Sequence, residues 1–266
     1  MLPETGSKAF RFSVLKPGDT AHDTVERPVI IEAPIAVEYN GIGYAVMMLT
    51  PIDLEDFAVG FSLSERLIDQ PSQILAIDIH KAELGWILRI QLPQENAEKV
   101  FARARQRVSE SSCGLCGMDS LDEVMRPLPP VIAKLDVCDS AIFSALSALR
   151  KHQTLNNATG SAHAAAFCMA DGSTIMIRED VGRHNALDKL VGALARTETD
   201  IATGFILLTA RCSLELVQKA ILANCPMLVT ISAATDLAID VATRYGLRLI
   251  SLARSDGALV ATHQSD

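Results

Sequence analysis

Gly204–Leu252 reads GFILLTARCSLELVQKAILANCPMLVTISAATDLAIDVATRYGLRLISL. Three short apolar runs, Gly204–Leu208, Met227–Ser232 and Leu247–Leu252, alternate with two stretches of helical periodicity, Leu214–Ala223 and Asp236–Tyr245. Runs this short fit strands buried on both faces, and the connections are long enough to hold crossover helices. Working outward, a helix over His184–Ala195 precedes the first of these strands. Before it, strands Ala164–Met169 and Thr174–Arg178 flank an Asp171-Gly172 turn. A helix over Ala141–Lys151, capped by Asp139 or Ser140, and a closing strand Ala258–Thr262 complete the pattern. Such alternation predicts an α/β fold with a mixed, largely parallel sheet covered by helices.

The preceding half is richer in strand signals: Phe10–Val14, Val29–Glu32, Ile35–Tyr39 and Ile42–Met47. Asn40-Gly41 sits between the last two, and both residue types tolerate the positive φ of a hairpin turn. Asp53 is placed to cap a helix over Leu54–Leu67. Strands Ile74–His80 and Leu84–Leu92 follow, then a helix from Pro93 to Arg107. Periodicity stops between Val108 and Asp139, where serines, glycines and Pro127, Pro129 and Pro130 accumulate. A long irregular connection of this kind is commonly functional or mobile. The expected organisation is therefore a smaller α+β domain over 1–108, a mobile loop and linker over 109–139, and an α/β domain over 140–266.

Composition narrows the function classes. With 266 residues, 49% apolar and 21% charged, the chain is globular, and general disorder is excluded. Twenty-four basic against 32 acidic residues, a net charge of -8, argue against nucleic acid as a partner, although a local cationic pocket is allowed. A membrane span needs ~20 consecutive apolar residues. The run Ala220–Thr235 is too short and is interrupted by Asn224 and Pro226. The opening Met-Leu-Pro-Glu-Thr-Gly carries no secretory pattern, so a cytoplasmic location is expected, where the six cysteines would stay reduced.

Polar residues cluster after the carboxyl ends of the expected strands. Glu179-Asp180-Val181-Gly182-Arg183-His184-Asn185, Thr209-Ala210-Arg211-Cys212-Ser213, Ala233-Ala234-Thr235 and Ala253-Arg254-Ser255-Asp256-Gly257 all fall there. Ligands of open α/β sheets bind beyond those ends, where helix N-termini also point. Arginine forks and free helix N–H groups hold phosphate, so a shared rim would suit a ligand with more than one phosphate. Solvated arginines with Ser213 and Thr235 as ordinary caps form the plainer reading.

Cys113-Gly114-Leu115-Cys116 admits several readings. Structural zinc needs four ligands, yet the other cysteines, at 138, 168, 212 and 225, stand alone. A thioredoxin-like dithiol opens a helix after a strand, whereas this pair follows a basic helix within a serine- and glycine-rich loop. A nucleophilic sulfur is the third reading: Lys99, Arg103, Arg105 and Arg107 lie close before it in sequence, and nearby cations favour the thiolate. Persulfidation is among the reversible states of such a thiol. Two incidental surface thiols remain the alternative. Zinc-deaminase chemistry is excluded, because His163-Ala164-Ala165 has alanine where a proton-shuttling glutamate would stand.

Taken together, several motifs resemble the formate dehydrogenase accessory sulfurtransferases, the FdhD family. They are the Cys113–Cys116 pair, Thr159-Gly160-x-x-His163-Ala164, Glu179-Asp180-Val181-Gly182-Arg183-His184-Asn185-Ala186-x-Asp188-Lys189, Arg211-x-Ser213-x-Glu215-x-Val217-x-Lys219-Ala220 and Ser232-Ala233-x-Thr235-x-Leu237-Ala238. The resemblance runs from about Pro28 to Val260. It implies a cytidine-deaminase-like three-layer fold and a homodimer. It further implies that Cys113 and Cys116 carry persulfide sulfur from a cysteine desulfurase to the molybdenum of bis-molybdopterin guanine dinucleotide, for the formate dehydrogenase catalytic subunit. The dinucleotide would lie on Leu252, Ala253, Arg254, Ser255, Asp256 and Gly257, with Thr159, Gly160, His163, Asp180, Arg183, His184, Arg211, Ser232 and Thr235. A guanine nucleotide would substitute for it, and no resident metal is expected. Ser161, Thr209-Ala210, Ala234 and Leu252 stand where the family has glycine, Ser-Gly, proline and an aromatic residue. The alternative function is a non-catalytic chaperone for the molybdenum cofactor.

Overall fold

A computed structural model describes residues 5–17, 23–107 and 126–261; Cys113 and Cys116 lie outside the described residues. The chain opens with an antiparallel ribbon of β1 (Ser7–Ser13) and β2 (Thr24–Ile30). β3 (Ala33–Tyr39) and β4 (Ile42–Leu49) form the expected hairpin, with Asn40 at φ 51° and Gly41 at φ 79°. With β5 (Ala76–Lys81) and β6 (Trp86–Gln91) they make a four-stranded sheet in the order β4-β3-β6-β5. Alternation decides its inner face: Ile35, Val37 and Tyr39 of β3 and Leu88 and Ile90 of β6 pack on α1 (Leu54–Ser64) and α2 (Gln94–Arg107) through Phe57, Phe61 and Val100.

α1 stops at Ser64, short of the expected Leu67, because Arg66 takes φ 56°. Asp53 occupies the N-cap position, but its side chain makes no capping bond. Its φ of 52° is left-handed, unlike the extended backbone of a capping residue, and the carboxylate lies 3.8 Å from Arg178 Nε instead.

In the second half, α3 (Asp139–His152) has Cys138 at its N-cap position, not Asp139 or Ser140. A short α4 (Thr154–Thr159) follows. The Glu179 carboxylate makes it possible by accepting from Leu155 N at 2.7 Å and Asn156 N at 2.9 Å. Then come β7 (His163–Met169), β8 (Thr174–Asp180), α5 (Arg183–Arg196), β9 (Gly204–Leu208), α6 (Leu214–Leu222), β10 (Met227–Thr230), α7 (Asp236–Arg244), β11 (Arg248–Arg254) and β12 (Gly257–Val260).

The six-stranded sheet has the order β12-β11-β10-β9-β7-β8. β9, β10 and β11 are parallel neighbours, whereas β7 runs antiparallel to both β8 and β9, and β12 antiparallel to β11. The sheet is therefore mixed, and less parallel than alternation alone suggests, because the Asp171-Gly172 turn closes a hairpin. β8, β9, β10 and β11 still all point one way.

Three layers result. Ala166, Cys168, Phe205, Leu207 and Val229 face α3, while Ala165, Phe167, Ile206, Leu208 and Leu228 face α5, α6 and α7. Cover on both faces explains the unbroken apolar runs in β9 and β10. The two halves meet where α1 crosses α5. A Cβ at Gly60 would lie 1.8 Å from Asp188 O, and one at Gly192 1.8 Å from Asp56 O, so backbone rests on backbone there.

A candidate anion-binding rim at the strand ends

The rim is held together by backbone bonds that continue the sheet past its strands. Thr209 N donates to Ala164 O at 3.1 Å, and Thr209 Oγ1 accepts from Ala164 N at 2.8 Å, which ties β7's beginning to β9's end. Cys212 N donates to Ala233 O and Thr235 N to Cys212 O, both at 3.0 Å, so the loops after β9 and β10 run side by side. Leu252 N reaches Ser232 O at 3.1 Å and attaches β11. His163 pairs with Asp180 across the β7–β8 ladder. One edge thus carries Thr159 and Gly160, His163, Asp180, Arg183 and His184, Arg211, Ser232 and Thr235, and Leu252–Gly257. From β11 to β8 it spans four strand spacings, about 19 Å.

These residues differ in what they present. Arg211 and Arg254 are exposed. Arg183 is half-buried, and its buried Nε has no hydrogen-bond partner among the described residues. None of the three is in an ion pair with a described acid, unlike Arg103, Arg178 and Arg196. Thr235 caps α7 by accepting from Ala238 N at 3.3 Å. Ser213 makes no side-chain cap on α6, and its Oγ lies beside His184 instead. Gly160, at φ 73°, ends α4, and Thr159 Oγ1 donates to Leu155 O at 2.8 Å. Arg254 and Gly257 pair across a two-residue turn of Ser255 and Asp256, after a bulge in which Leu252 takes φ 50°. Left-handed backbone costs a non-glycine residue about 1–2 kcal/mol, and such strain gathers at functional positions.

Asp180 is fully buried and faces the protein interior. Its Oδ1 accepts from Gly182 N at 2.8 Å and Asn185 Nδ2 at 3.0 Å, and its Oδ2 from Thr50 N at 3.0 Å and Lys189 Nζ at 2.6 Å. Lys189 Nζ also donates to Thr50 O at 2.9 Å, and Asn185 Nδ2 to Met48 O at 2.9 Å. Three polar residues of the Glu179–Lys189 motif therefore fasten the rim to the end of β4.

Two histidines of the rim, His163 and His184, have their pKa values lowered and stay neutral near pH 7. Burial lowers the His163 pKa, with Arg183 adding to it and Asp180 opposing. Burial likewise pushes His184 down to about 4, aided by Lys219, Arg183 and His163 and opposed by Glu215. His184 Nε2 lies 3.3 Å from Ser213 Oγ and 3.4 Å from Glu215 Oε2. Beyond it, Glu215 Oε1 is 3.6 Å from Lys219 Nζ, Lys219 is 2.5 Å from Asp188 Oδ2, and Ser64 Oγ donates to Asp188 Oδ1 at 2.7 Å. Sequence reasoning placed His184 among the ligand contacts of the rim but did not identify these partners. The Ser213-x-Glu215 spacing and the i,i+4 pair Glu215–Lys219 were the available signals.

Cys113 and Cys116 fall outside the described residues, but the chain on either side of them converges on the end of α1. Arg103 of α2 donates to Glu65 O and pairs with the Glu65 carboxylate at 3.2 Å, and Arg66 Nη2 donates to Pro127 O at 3.1 Å. Of the four described cysteines, Cys168, Cys212 and Cys225 are buried, which pushes their thiols up to about 11, 12 and 12. Cys138 is exposed, and its thiol pKa is lowered by bonding to Ser140 and the Ala141 N–H. A cavity of about 590 Å³ lies away from the rim, between Leu63, Ser64 and Arg66, Val191 and Leu194, and Lys219.

Fold and site together define a three-layer α/β protein with a ligand-sized, arginine-bearing edge at its strand ends. The chain belongs to the FdhD/NarQ family, which matches it over residues 30–266. It is 43% identical over 235 residues to the sulfur carrier protein FdhD of Variovorax paradoxus (strain S110), covering 88% of this chain and 84% of the relative. To that of Xanthomonas campestris pv. campestris (strain B100) it is 44% identical over 240 residues, covering 90% and 85%. Its fold matches a crystal structure from Desulfotalea psychrophila, assigned as a formate dehydrogenase accessory protein, with TM-score 0.75 at 21% identity over 97% and 98% of the two chains. Among the described residues no helix is long and apolar enough to cross a membrane, and no group of three or more metal-ligating side chains occurs.

Proposed function

We propose that this chain is a sulfurtransferase in the service of a formate dehydrogenase. It accepts sulfur as a persulfide on Cys113, with Cys116 assisting, from a cysteine desulfurase in the cytoplasm. It delivers that sulfur to the molybdenum of bis-molybdopterin guanine dinucleotide, which is its bound substrate, and it acts as a homodimer. The observation that carries this reading is the gathering of Arg183, Arg211 and Arg254 on one strand-end edge without acidic partners among the described residues. A ligand with two pyrophosphates needs such cations, and the names of the relatives supply the sulfur. Cys113 is six residues beyond Arg107, so the chain length allows it about 20 Å from the end of α2. Holding the cofactor by its phosphates would bring its metal and the carried sulfur together, where proximity lowers the barrier to transfer.

Incubation with a cysteine desulfurase and cysteine should add one sulfur to the peptide containing Cys113, as read by mass spectrometry. Sulfur found only on Cys138, or none at all, overturns the relay. The chaperone alternative makes the opposite prediction in cells: Cys113→Ala would leave formate dehydrogenase active, whereas Arg254→Ala would abolish activity.

A further inference from the structure

The imidazole of His184 is oriented by partly buried Glu215 and Ser213, behind which stand buried Lys219 and Asp188. A carboxylate accepts hydrogen bonds and does not donate them, so Glu215 Oε2, 3.4 Å from Nε2, favours the tautomer that carries the ring proton on Nε2, and Ser213 Oγ at 3.3 Å can accept from the same N–H. A neutral ring carries one N–H, so Nδ1 keeps its lone pair, and among the described residues it has no partner. Glu215 is steadied by Lys219 at 3.6 Å. Lys219 is fixed in turn by Asp188 at 2.5 Å and by the Phe61 ring, 5.9 Å from its centroid. The adjoining Arg183 has a buried Nε with no hydrogen-bond partner among the described residues. Among the described residues, an unpartnered acceptor and an unpartnered donor therefore sit on consecutive residues at the start of α5.

We infer that His184 is the hydrogen-bond acceptor of the rim, and that Glu215 and Lys219 are positioning residues that turn its Nδ1 lone pair toward a donor on the bound ligand. The inference rests on the reading that the rim holds a nucleotide. It adds that this part of the rim grips an N–H or O–H group, of a base or a ribose, and leaves phosphate to the arginines. A phosphate at Nδ1 would require the imidazolium. Burial disfavours that form first, Lys219 and Arg183 add to it, and only Glu215 supports it.

Two measurements decide the matter. In the free protein near pH 7, long-range ¹H–¹⁵N correlation of the histidine rings should show the Nε2–H tautomer at His184; an Nδ1–H tautomer or an imidazolium overturns the inference. Glu215→Gln should mix the tautomers and weaken binding of diguanosine pyrophosphate, whose phosphates do not titrate near neutrality, by about tenfold. Unchanged tautomer and affinity in a folded Glu215→Gln protein would overturn the positioning role. For the unmodified protein, affinity should be level between about pH 6 and 8; tighter binding on acidification would mean an imidazolium gripping an anion, and the acceptor role would fall. An Nε2–H tautomer in a protein that binds no diguanosine pyrophosphate would sink the nucleotide reading and the acceptor role with it, while the positioning by Glu215 would stand.

Discussion

At the scale of single residues, burial sorts the titratable groups into reactive and inert. Cys168, Cys212 and Cys225 are held as thiols by their surroundings, and only a thiolate attacks an electrophile. Brief iodoacetamide treatment of the folded protein near neutral pH should leave these three unmodified and label Cys138, with the pattern read by peptide mass spectrometry. His184 obeys the same physics with the opposite charge. Its pKa falls from 6.5 to about 4 on folding, so within that window the unfolded chain binds the proton first. The stability due to neutral His184 is therefore complete above pH 6.5 and is lost as the pH falls toward 4, amounting to roughly 3 kcal/mol. Urea unfolding at a series of pH values should show a shallower loss for His184→Gln than for the unmodified protein; parallel curves would contradict the assignment.

At the scale of elements, the crossing of α1 over α5 sets how the first half sits on the second. Gly60 and Gly192 let the two backbones touch, and no flexible side chain is available to yield to an added methyl group. Gly192→Ala should cost about 3 kcal/mol, at the upper end of overpacking penalties, and Gly60→Ala about the same. The double variant should cost less than the sum of the two, because the first substitution already separates the helices. Denaturant midpoints check both statements. Neither glycine stood out in the sequence, where each interrupts a helical pattern and reads only as a weak helix former.

At the scale of the whole molecule, the rim depends on a clamp that joins the two halves. Asp180 and Lys189 come from one half and the Thr50 backbone from the other, and all of these groups are buried. Removing one partner of a buried pair leaves the other charge without compensation. Lys189→Met should destabilise the protein by about 3–5 kcal/mol, measured by urea unfolding, and Asp180→Asn should cost less because its amide oxygen can still accept. A shift below about 1 kcal/mol for Lys189→Met would show that the clamp contributes little.

Much of this was legible in the sequence, and the limits are physical. Apolar periodicity is a local property, so the order of strands and helices, the Asn40-Gly41 hairpin, the apolar central strands and the clustering of polar residues after strand ends follow from the residues themselves. Direction, burial and partnership are decided by contacts between residues far apart in the chain. Only the tertiary structure turned β7 antiparallel and so brought His163 to the edge that carries Arg211. It also drew Asp180 inward to Lys189 and Thr50, away from solvent. It set His184 against Glu215 on the next helix, because partial burial strips water from a polar group and favours whatever partner the fold supplies.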